Sequence, residues 1–102
     1  MAMVEARVGT TRAARYVEQL SSHFGHQPGG MKVLSSAPGE LLIDLGEATW
    51  SIRAVDDELV LRVDAADADH LRETSAHVAR RIEQIGRRDG LRVEWQPAAE
   101  MG

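Results

Sequence analysis

Ser22-His23-Phe24-Gly25-His26-Gln27 gathers the side chains of this chain best suited to chemistry, at the point where an amphipathic pattern runs out. Two imidazoles three residues apart lie on adjacent turns of one helix face, so both could reach one divalent metal ion or titrate near neutral pH. Two ligands do not complete a site. If the first and fifth strands run parallel, both helices finish at one end of the sheet and Arg88 and Asp89 approach His23 and His26. Asp89 would then be a third metal ligand or orient an imidazole, while Arg88 would bind the carboxylate or phosphate of a small ligand. Tyr16, near His23 at the border of the same helical stripe, joins Arg88 as a candidate ligand contact. The plainer alternative is a half-buried histidine packed at a helix C-terminus, where the macrodipole favours it.

Composition narrows the chemistry. The 102 residues fit one domain, and cysteine is absent, which excludes disulfides, thiolate catalysis and cysteine-ligated metal. A net charge of -4 weighs against non-specific nucleic-acid binding, although Arg80, Arg81, Arg87 and Arg88 form a local basic run. No apolar stretch approaches the ~18 residues of a membrane span, and the expected location is the cytoplasm. Ser21, Ser22, Ser35 and Ser36 lack the context of a nucleophile elbow, and Asp56-Asp57-Glu58 suits a turn better than a calcium loop.

The elements that must position these residues follow from periodicity. Val4, Ala6 and Val8 alternate with Glu5 and Arg7 as a half-buried strand. Thr10 or Thr11 caps a helix whose buried stripe is Ala13, Val17, Leu20 and Phe24. Strands are expected over 31–35, 41–45, 49–55 and 59–65, separated by Pro38-Gly39, Gly46-Glu47 and Asp56-Asp57. Trp50, Ile52 and Ala54 share a face, as do Leu59, Leu61 and Val63, leaving Ser51, Arg53, Arg62 and Asp64 opposite. A second helix, capped by Asp67 or Asp69 and closed by Gly86 or Gly90, carries the stripe Leu71, Thr74, Ser75, Val78, Ile82 and Ile85. His70, His77, Arg81 and Arg88 recur on its flank, as a polar docking stripe, a pH-sensitive surface or a merely solvated side. Leu91, Val93 and Trp95 form a last strand. The fold class is α+β: a two-layer sandwich, β-α-β-β-β-β-α-β, with a mainly antiparallel sheet and two helices on one face. The domain is expected over 1–97, with 98–102 a flexible tail and 27–30 a loose loop.

Ala14-Arg15-Tyr16 to Leu20, the tetrad His23-Phe24-Gly25-His26, Gly46 in the central turn, and Arg88-Asp89 followed by Leu91-Arg92-Val93-Glu94-Trp95 together resemble the bacterial domain-of-unknown-function family two-two-one-eight. Gln27 and Arg87 depart from its pattern, standing where a basic residue and an aromatic are usual. The resemblance implies a link to iron acquisition, since some members are joined to, or encoded beside, siderophore-interacting flavoprotein reductases. Two functions follow as expectations. One is a small binding or accessory module, partnered by such a reductase or a small iron chelate, using the wet sheet face or the histidine end; a homodimer is also open. The other is a metal-binding protein or metal-dependent enzyme centred on His23 and His26. An exposed apolar patch around Leu34, Leu42 and Val60 would favour the first.

Overall fold

The computed structural model describes residues 2–25 and 32–97. In chain order these form β1 (Ala2–Gly9), α1 (Ala13–Gly25), β2 (Lys32–Ala37), β3 (Glu40–Asp44), β4 (Ala48–Val55), β5 (Glu58–Ala65), α2 (Ala68–Ile85), a 3-10 turn at Arg87–Asp89 and β6 (Gln96–Pro97). The order is the expected one, and the architecture is the α+β sandwich of an antiparallel sheet with both helices on one face. His26, the 27–30 loop and the 98–102 tail lie outside the described residues.

The strands stand in the order β2-β3-β4-β5-β1-β6. β2 to β5 form a meander, and β1 inserts between β5 and β6, antiparallel to both. The period-2 pattern sets which side is buried: Ala6 and Val8 of β1, Leu41 and Ile43 of β3, Trp50 and Ile52 of β4, and Leu59, Leu61 and Val63 of β5 all face the helices. Ala13, Tyr16, Val17 and Leu20 of α1 and Val78 and Ile82 of α2 close over them in one core. Fully burying each large aliphatic side chain contributes about 1.5–3 kcal/mol, so this face holds the layers together.

One condition and one expectation fail here. The first and fifth strands are antiparallel, with Val4 opposite Val63. β5 therefore ends where β1 begins, α2 starts at that end, and the end of α2 meets the start of α1 instead of its finish. The last strand, expected over 91–95, lies instead at Gln96–Pro97. Leu91, Val93 and Trp95 keep their inward alternation, but only Gln96 and Pro97 pair with β1. The intervening segment is held to α2: the Val93 amide donates to Glu83 Oε2 at 3.0 Å and Trp95 Nε1 to the Ser75 carbonyl at 2.9 Å. Side-chain anchoring replaces a ladder that periodicity alone would extend.

Candidate functional site

α1 opens with the Arg12 amide donating to Thr10 Oγ1 at 3.1 Å, and the Arg12 carbonyl accepts the Tyr16 amide at 3.1 Å. This first turn aims Tyr16 along the border of the core, where it is 7% exposed. From the other side, α2 stops at Gly86, whose amide donates to the Ile82 carbonyl at 3.0 Å. A Cβ at Gly86 would stand 2.2 Å from Leu91 Cδ1, so only glycine lets the returning chain pack this closely. Gly90, at φ 67, then reverses the chain into the buried Leu91. Asp89 is presented by this tight reversal.

The two segments meet. The Tyr16 hydroxyl donates to Asp89 Oδ2, and Arg12 Nη1 stands 3.7 Å from Asp89 Oδ1. Burial, and then the Asp89 carboxylate that holds the phenolic proton, raise the Tyr16 pKa above its ordinary 10.0. Arg87 and Arg88 precede Asp89 and are exposed, as are Arg12, just before α1, and Arg15 in its first turn. Asp89 thus joins the buried Tyr16 phenol and the Arg12 guanidinium, with two further exposed arginines preceding it in the chain.

Of the expected site residues, Tyr16, Asp89 and Arg88 thus gather at the start of α1. His23 lies seven residues farther along that helix, about 10.5 Å by helical rise, and its side chain is outside the described residues. The expected approach of Asp89 to His23 is therefore corrected: it rested on parallel first and fifth strands, and Asp89 meets Tyr16 and Arg12 instead, while His26 lies outside the described residues. Among the described residues, no group of three or more His, Asp or Glu could hold a metal ion. Arg12 was not singled out from sequence, because nothing local distinguishes it from the other exposed arginines.

At the opposite end, the Asp67 cap binds both the backbone and the ring of His70, whose Nε2 faces Glu47 in the β3–β4 turn. The helix-free face is mixed. Arg62 joins Asp64 at 3.3 Å and Met3 Sδ at 3.0 Å, and Arg7 reaches Glu58 at 3.5 Å. Leu34, 50% exposed, is the only large hydrophobic residue so open among those described, while Leu42 and Val60 are partly buried. A shallow groove of about 290 Å³ runs beside Leu34 past Asp44, Glu47 and Asp64.

Residues 5–96 match the family described as an uncharacterized protein conserved in bacteria (DUF2218). The chain belongs to this family. The fold is similar to that in the NMR structure of PA4090 from Pseudomonas aeruginosa, with a TM-score of 0.76 and 29% identity over 98% of this chain and 100% of that one. None of the curated proteins matches. Membership in DUF2218 agrees with the sequence resemblance and fixes a small α+β module. No helix among the described residues is long and apolar enough to cross a membrane.

Proposed function

We propose that this DUF2218 chain is a small accessory binding module whose arginine-bearing end receives an anionic ligand. The observation carrying this reading is the double engagement of Asp89 by Tyr16 and Arg12, which brings the turn that carries Arg87 and Arg88 to the start of α1. Asp89 offsets the charge of Arg12, and the exposed Arg87 and Arg88 that precede it leave this turn a cationic excess. Guanidinium groups pair with carboxylate and phosphate oxygens in two-point geometry, and their planar forks suit such ligands better than ammonium groups do. In its finer form the ligand is an anionic iron chelate, exchanged with a siderophore-interacting flavoprotein reductase. The support for that form is family context, and the chemistry of the arginines is compatible with it.

The test is calorimetric titration of the protein with ferric citrate, citrate alone and inorganic phosphate, alongside the Arg12→Ala/Arg88→Ala double variant. The expected result is saturable binding of ferric citrate, weakened at least tenfold in the variant. Equal binding by both proteins, or no binding of any anion, would overturn the proposal. Binding of all three anions alike would keep the anion site and remove the iron-chelate form.

A further inference from the structure

We infer that His70 is a proton-operated clip tying the β3–β4 turn to the start of α2. Its two ring nitrogens face different elements. Nδ1 lies 2.8 Å from Asp67 Oδ2, and Nε2 lies 3.9 Å from Glu47 Oε2. Asp67 also accepts the His70 amide at 2.8 Å through Oδ1, so the helix cap fixes the ring as well as the backbone. The turn carrying Glu47 is itself ordered, with the Leu45 amide donating to the Ala48 carbonyl and the Gly46 amide to Asp44 Oδ1, each at 2.8 Å.

The two arms respond differently to a proton. A neutral imidazole with its hydrogen on Nδ1 keeps the Asp67 hydrogen bond, weakened by the loss of the ring's charge. The Glu47 arm, at 3.9 Å, is too long for a hydrogen bond and depends on the positive charge of the ring. The groups facing His70 are Asp67 on its own cap, Glu47 across the turn and Glu73 on α2, and all are acidic. They raise its pKa above the ordinary 6.5, the Asp67 hydrogen bond first. The clip is consequently complete below about pH 6.5, the ordinary histidine value, and is lost as pH rises through the raised value. Because Glu47 also lines the groove beside Leu34, Asp44 and Asp64, deprotonation releases one wall of that groove. The clip thus couples proton concentration to the rim of the helix-free face.

Heteronuclear NMR of the labelled chain from pH 5 to 9 tests this, following the His70 ring and the amide exchange of Gly46, Glu47 and Ala48. The wild-type His70 midpoint is expected above the ordinary value and to fall in Glu47→Gln, whose exposed side chain does not bear on folding. Exchange at Glu47, corrected for its intrinsic pH dependence, is expected to quicken several-fold across that midpoint and to stay level in His70→Gln. An unchanged midpoint in Glu47→Gln, or turn protection without a pH step in the wild type, would overturn the inference.

Discussion

Replacing Tyr16 by Phe removes one hydroxyl and leaves the ring's packing in place, so it isolates the bond that joins α1 to the end of α2. A hydrogen bond to a charged partner contributes about 1.5–3 kcal/mol, and water can reach the partly exposed Asp89 once the hydroxyl is gone, which favours the lower figure. A loss of about 1.5 kcal/mol lowers Tm by roughly 6–12 °C in a domain of this size. Urea and thermal unfolding followed by circular dichroism measure the loss. A double-mutant cycle with Asp89→Asn should return a coupling energy of about 1 kcal/mol. Tyr16 is the only tyrosine, so absorbance titration of the phenol reads this site without interference. Its midpoint should lie above 10.0 in the native protein and fall in Asp89→Asn. Because the folded pKa is raised, the stability Tyr16 contributes is complete below about pH 10 and lost as pH climbs through the raised value. A Tyr16→Phe variant as stable as wild type, with a native midpoint no higher than in urea, would refute the reasoning.

Gly86→Ala should cost about 1–3 kcal/mol by overpacking, because Leu91 is buried and its side chain must shift to admit the methyl group; chemical denaturation checks this. Any Zn²⁺ or Fe²⁺ binding carried by His23 and His26 should survive Asp89→Asn with unchanged stoichiometry, since Asp89 is engaged two helical turns away. Calorimetry on metal-stripped protein decides it, and binding lost in Asp89→Asn would restore the arrangement expected from sequence.

Most of the architecture was legible because burial in a two-layer fold writes itself as period. Val4, Ala6 and Val8, or Leu59, Leu61 and Val63, announce a strand and its inward side without reference to any partner. Asp67 and Asp69 both announced a cap, because an acidic side chain before a helical stripe has one common use, and Asp67 takes it. Strand direction was not legible, since β1 carries the same pattern whichever way its neighbour runs. That single ambiguity misplaced Asp89. The shortening of the last strand was hidden for a related reason: Trp95 points inward whether its backbone pairs with β1 or its indole binds the Ser75 carbonyl. Tyr16 and Arg88 were found as types suited to binding, but their grouping with Arg12 depends on the chain reversal between Gly86 and Leu91.

The position of β1 has a consequence for how the chain reaches this state. β2 to β5 can zip together through neighbouring hairpins, each closing a short loop. β1 is made first yet joins Gly9 to Glu58 and Ala2 to Ala65, so it waits for most of the chain before its inner edge is satisfied. Its docking brings in Thr10, whose amide donates to the Asp57 carbonyl at 2.8 Å in the β4–β5 turn, and sets the start of α1 beside it. Closure of the sheet and assembly of the arginine-bearing end are therefore expected to be one non-local event. Contact order leads us to expect the meander to form first and β1 to dock last.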